Sequence, residues 1–298
     1  MILVSCLPQM DRTAPSKDIL DIYRQQTART DPGEYLYLYE GLPEDLNELC
    51  ELIKKQLIHP QEAMQRGMDR DKLIEDNINH DVRSMLRELI RMDSSGLTMD
   101  RRPRNRLILA CYHHSMLLAS ILRSRDIPVR MRAGYARYYE KAFGVRFGHV
   151  ICEVWDDKEQ RWMLVDPDRE KVDFSFRDFD VAGQAYLNLK NESVKPERYT
   201  STLGYGIRGA IHILSLDISL ILHEEKMNWQ LPPVVLEEFS ELDKLSVGEI
   251  YVLTQLSELS LDPDANLAQI IQIYADNEFI QPSVITYDDW IELVYEDG

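Results

Sequence analysis

A chain of 298 residues, 44% hydrophobic and 29% charged, can bury a large core and lacks the composition of a disordered protein. Its net charge of −17 sits almost wholly in the last third, where residues 201–298 hold three Lys/Arg against eighteen Asp/Glu, net −15. An acidic third opposes a polyanion, which excludes nucleic acid as a partner of the whole chain.

The chain opens on a short apolar run, Met1 to Leu7, that lacks a basic flank and meets Pro8, so no export signal is expected. Four cysteines, Cys6, Cys50, Cys111 and Cys152, lie far apart without CxxC pairs, the pattern of reduced thiols, and a cytoplasmic location is expected. Residues 1–100 are predicted to form a helical region packed on a core. Ser16 caps a helix from Lys17 to about Arg29, and Pro43 sits in the first turn of another that carries Leu46, Leu49, Cys50, Ile53 and Leu57. A third amphipathic run holds Val82, Met85, Leu86, Leu89 and Ile90.

Residues 101–190 are predicted to form the core. Within them, residues 101–146 carry eleven Lys/Arg against Asp126 and Glu140, a local excess of +9. This basic stretch either balances the acidic last third or frames a site for an anionic substrate. Residues 107–122 read as a helix that contains Cys111 and stops at Asp126-Ile127-Pro128. Residues 129–135 alternate apolar and basic side chains, a half-buried strand, and residues 149–155 and 161–165 form two more strands joined by a polar hairpin loop. A helix followed by several strands is an α+β arrangement, not a βαβ one.

After Asp166-Pro167 the pattern returns to helices, and residues 191–298 are predicted to form an acidic helical region. Ser246 with Glu249 forms a capping box, and Asp262-Pro263 opens a helix that runs to Ala275. The apolar run 207–222 is interrupted by Arg208, His212 and Asp217, so it reads as a buried helix and no membrane span is expected. Gly204-Tyr205-Gly206-Ile207-Arg208-Gly209 matches GxGxxG but follows no buried strand, and reads as a helix entry rather than a dinucleotide site.

A cysteine nucleophile needs a base to hold it as thiolate and a third group to orient that base. Cys111, His149 and Asp166 supply one of each. With a hairpin loop of residues 156–159, Trp155 faces Gln160 and His149 stands directly opposite Asp166 on one face, close enough for an imidazole to reach a carboxylate. A zinc site built from these three and one of His113 or His114 is the metal alternative. Adjacent histidines on a helix diverge, so no metal and no cofactor are expected.

The run from Cys111 through Ser115, Leu118-Ala119-Ser120-Ile121-Leu122, Asp126-Ile127-Pro128 and Ala133-Gly134-Tyr135 resembles the nucleophile helix and following strand of transglutaminase-like proteins. Gly148-His149-Val150-Ile151-Cys152-Glu153-Val154-Trp155 and Arg161-Trp162-Met163-Leu164-Val165-Asp166-Pro167 resemble that superfamily's His and Asp strands, in the same order. The likeness covers residues 101–168, and the flanking helices resemble those of a bacterial subgroup. Two positions depart from the pattern: Leu109 stands where a glycine usually precedes the cysteine by two, and Asp126 replaces a glycine before Ile-Pro.

The resemblance implies a papain-like core, a nucleophile helix packed on an antiparallel sheet. It implies a Cys111 thiolate that attacks an amide or ester carbonyl, His149 as base and then acid, and Asp166 as orienter. The thioester passes to water or an amine, as in a protease, deamidase or amide-forming transferase acting on a peptide or protein-like amide. The backbone N–H of Cys111 is a candidate oxyanion donor, the nearby arginines are expected to favour thiolate, and Tyr112, Tyr135 and Trp155 are candidate cleft residues. The second reading is a catalytically inactive interaction module whose acidic C-terminal lobe binds a basic partner.

Overall fold

The computed structural model describes residues 13–68, 72 and 78–283; Cys6, the opening apolar run and residues 284–298 of the acidic third lie outside them. Ser16 caps α1 (Lys17–Arg24) by accepting from the Ile19 N–H. The helix stops five residues short of the predicted end because Thr27 and Thr30 exchange side-chain and backbone hydrogen bonds that close a turn instead. The next helix, α2 (Leu46–Gln56), starts three residues after Pro43, since the Asp45 carboxylate takes the N–H groups of Asn47 and Glu48. There follow β1 (Leu57–Ile58), α3 (Pro60–Gln65), α4 (Val82–Met92), β2 (Leu107–Ile108) and α5 (Cys111–Ser124). Asp126 takes the left-handed conformation, φ +61°, at the turn that ends α5, the role in which Asp substitutes for glycine.

The sheet is built from β3 (Val129–Ala136), β4 (Arg146–Asp156), β5 (Arg161–Asp166), β6 (Lys171–Phe174) and β7 (Phe179–Val181), in the antiparallel order β6-β5-β4-β3-β7. A four-residue helix, α6 (Glu140–Phe143), lies between β3 and β4. The sheet therefore continues past Pro167, where a return to helices was expected. After α7 (Ala182–Lys190), β8 (Tyr199–Ser201) still joins it by pairing with the start of β4, and β9 (Gly204–Tyr205) pairs with β8. Gly206, φ +80°, then turns the chain into α8 (Ile207–Ile221), the helix entry expected of the glycine-rich run. The capping box of Ser246 and Glu249 opens α9 (Val247–Leu259), and α10 (Pro263–Ala275) begins at Asp262-Pro263.

One apolar core joins α5, the inner face of the sheet, α7 and α8. The fold is α+β, as expected. Every residue of α8 is buried, and its polar side chains are answered: Arg208 by the Val235 carbonyl, His212 by that of Asn228, Asp217 by Arg132. No helix among the described residues is long and apolar enough to cross a membrane.

Arg123, Arg130 and Arg132 of the basic stretch face inward. Arg132 forms a bidentate pair with Asp217 at 2.9 Å, Arg130 reaches Glu153 at 2.6 Å and Asp264 at 2.5 Å, and Arg123 reaches Glu225 at 2.6 Å. Asp217 also accepts from the Ala133 N–H, just beyond the residues of β3 that β7 covers. Three carboxylates of the last third thus neutralise three arginines of the core. Removing one partner of such a buried pair costs about 3–5 kcal/mol, because the other charge is left without a counterion.

Candidate active site

The start of α5 is set by a two-residue parallel ladder. Leu107 and Ile108 pair with Leu57 and Ile58, and the Leu109 N–H donates to the Ile58 carbonyl at 3.0 Å. The backbone is committed to that ladder until Ala110, whose carbonyl accepts the first helical bond from His113. This corrects the expected helix from residue 107: Cys111 is the first helical residue, not an interior one. Its N–H and that of Tyr112 belong to the helix head, where no intrahelical carbonyl can reach them and the dipole favours an anion.

His149 and Asp166 come from neighbouring strands. The ladder runs Cys152 opposite Val165 to Asp156 opposite Arg161, so the loop is residues 157–160 and the register lies two residues from the one expected. Asp156 causes the shift: its carboxylate accepts from the N–H groups of Lys158 and Glu159, and Gln160 completes the turn at φ +52°. A shift of two preserves parity, so both side chains stay on one face but meet diagonally instead of directly. The His149 Nε2–H donates to Asp166 Oδ2 at 2.8 Å, leaving Nδ1 as the ring nitrogen available to Cys111.

Asp166 is buried and held by four donors. Its Oδ1 accepts from the backbone N–H groups of Asp168 and Arg169, each at 3.1 Å, and its Oδ2 from His149 and from the Tyr138 hydroxyl. The turn Asp166-Pro167-Asp168-Arg169 makes the first two contacts local. Tyr138 and Tyr139 stand edge-on to the His149 ring, with centroids 6.3 and 5.9 Å away, and the ring is only 4% exposed.

Burial raises the thiol of Cys111, but the charge and hydrogen bonding of His149, followed by the hydrogen bonding of His59, outweigh it and bring it down to about 6. His149 is lowered by burial and raised further by Asp166 and then Cys111, so its net shift is well upward. The charge that acts most strongly on the sulfur is thus that of His149, not that of the arginines expected from the sequence, which are engaged by carboxylates and carbonyls elsewhere. By contrast, burial pushes Cys50 up to about 12 and Cys152 higher still.

The family model described as Transglutaminase-like superfamily matches residues 110–167. That segment is similar to a transglutaminase-like core. No curated protein and no solved structure matches the chain. The superfamily's members are in general cysteine-dependent enzymes. The matched segment holds Cys111, His149 and Asp166 together with α5 and strands β3 to β5.

The three aromatic cleft candidates are each buried in packing of their own. Tyr112 donates its hydroxyl to the Glu225 carbonyl at 2.9 Å, Tyr135 stacks edge-on against Tyr199 at 4.8 Å, and Trp155 packs on Trp162 at 5.4 Å in a cluster with Tyr23. His113 and His114 are buried and lowered by that burial to about 3 and about 4. His114 Nδ1 donates to the Ala110 carbonyl, and its Nε2 lies 3.7 Å from Asp168. Among the described residues no group of three or more His, Cys, Asp or Glu is placed to hold a metal ion.

Three contributors were missed from sequence: Tyr138, Tyr139 and His59. The first two follow directly on β3 in Arg137-Tyr138-Tyr139, and paired tyrosines at the end of a strand beside the His strand were the available signal. His59 carried none, since its approach depends on the β1 and β2 pairing across fifty residues.

Proposed function

We propose that the chain is a cysteine acyl-transfer enzyme acting on a peptide-like amide. The observation that carries this is the His149 ring, braced at one edge by Asp166 at 2.8 Å and acting more than any other group to lower the thiol of Cys111 at the head of α5. Cys111 Sγ attacks the carbonyl carbon, forming a C–S bond while the carbonyl electron pair moves to oxygen. Collapse of that tetrahedral species breaks the C–N bond. His149, which took the thiol proton, delivers it to the leaving nitrogen. Water or an amine then attacks the thioester, with His149 as base, and releases acid or new amide. Asp166 keeps the ring in the tautomer and orientation that serve both steps.

The three described thiols, Cys50, Cys111 and Cys152, are all unpaired, which fits a reducing compartment, the cytoplasm. The test is acyl trapping. Incubation with p-nitrophenyl acetate or an activated peptide ester is expected to add one acyl group to Cys111, removable by hydroxylamine and absent in Cys111→Ala and His149→Ala. Adding a primary amine then separates transfer from hydrolysis by the product formed. An unmodified Cys111 after prolonged incubation at pH values above its titration would sink the proposal.

A further inference from the structure

His59 is placed at the nucleophile by backbone pairing. It follows Ile58, whose carbonyl accepts from the Leu109 N–H, so the ladder ends with His59 alongside the two residues that lead into Cys111. His59 is also the N-cap of α3: its Nδ1 accepts from the Gln61 N–H at 3.2 Å, and Pro60 occupies the first helical position. A ring nitrogen that accepts from a backbone N–H carries no proton. The proton of the neutral ring is therefore on Nε2, the edge that the cap leaves free for Cys111, whose thiol His59 helps to lower. Cys111 thus has two imidazoles with opposite assignments. His149 takes the thiol proton at Nδ1 and has to give it up again to the leaving group, its Nε2–H being spent on Asp166. His59 presents a donor whose tautomer is fixed by a helix cap.

A base cannot also serve as the fixed donor for the oxygen that becomes anionic when the sulfur attacks. That oxygen forms within one bond of the carbon joined to sulfur, so a donor already directed at the sulfur lies within reach of it. The Cys111 N–H at the helix head supplies one such donor. We propose that His59 Nε2–H is the second oxyanion donor: it holds the thiolate before attack and transfers its hydrogen bond to the carbonyl oxygen as the C–S bond forms. This inference rests on the acyl-transfer reading above and adds a catalytic residue to it.

The experiment compares two reactions of the same sulfur. Alkylation by iodoacetamide passes through no oxyanion, whereas acylation by p-nitrophenyl acetate does. The variant is His59→Ser, because serine is a strong N-cap and preserves the start of α3 while lacking the reach to the sulfur. Equal unfolding midpoints for variant and wild type establish that the fold is retained. At about pH 8.5, where the Cys111 thiolate is populated with or without His59, His59→Ser is expected to alkylate within about threefold of wild type and to acylate about a hundred- to a thousandfold more slowly. His59→Gln, which restores an N–H donor of similar reach, is expected to recover at least tenfold of that loss. If His59→Ser acylates as fast as wild type, or if alkylation and acylation fall by the same factor, the inference is overturned and the acyl-transfer reading stands. If wild type alkylates at Cys111 yet never acylates, both are overturned.

Discussion

Asp166 has a carboxylate whose every lone-pair direction is used, two by backbone N–H groups, one by His149 and one by Tyr138. Of these the Tyr138 hydroxyl alone can be deleted without touching the backbone or the base. Tyr138→Phe removes one hydrogen bond to a buried charge, a contact worth about 1.5–3 kcal/mol, and is expected to slow acylation of Cys111 about tenfold or more while iodoacetamide still reacts. Unchanged acylation kinetics would show that the remaining three donors suffice. Cys111, His149 and Asp166 were legible in the sequence because each sits in a motif whose neighbours are diagnostic. His59 was not, since two-residue strands carry no periodicity and their parallel pairing across fifty residues leaves no local trace.

At the scale of elements, strand parity was readable and register was not. Asp156 and Gln160 decide which four residues form the loop, and side-chain capping of a turn is invisible to an argument from alternation alone. The start of α5 was misjudged for a related reason: the apolar residues 107–110 suit a helix, but tertiary pairing with β1 claims the first of them as strand. The junction of α8 with β3 is the element contact most open to test. Asp217→Ala leaves Arg132 without its bidentate partner and the Ala133 N–H without its acceptor. Urea unfolding should report a loss of about 3–5 kcal/mol. A loss below about 1 kcal/mol would mean that Glu153 and the Ser260 carbonyl compensate for the missing acid.

For the whole molecule, charge distribution was informative in a way its sum was not. The basic stretch and the acidic third answer each other through Arg123 with Glu225, Arg130 with Asp264 and Arg132 with Asp217, all buried. Residues 110–167 hold the recognisable motifs, yet Arg123, Arg130 and Arg132 each take a counterion from α8 onward. A chain truncated after residue 206 is therefore expected to lose its cooperative unfolding transition, followed by circular dichroism during heating. Retention of a sharp transition would show that the earlier elements fold alone. The same pairing removes three carboxylates from any surface that might recruit a basic partner.

The central claim is that His149 and His59 keep Cys111 as a thiolate near neutrality against the opposing effect of burial. A thiol lowered in this way is ionised above its titration and loses reactivity only as the pH falls through it. The direct measurement is the pH dependence of iodoacetamide alkylation, read by peptide mass at Cys50, Cys111 and Cys152. The account predicts a rise for Cys111 centred at about 6, displaced to alkaline pH in His149→Ala, with Cys50 and Cys152 slow throughout. A Cys111 profile that rises only in the range of an ordinary thiol and is indifferent to His149→Ala would contradict it.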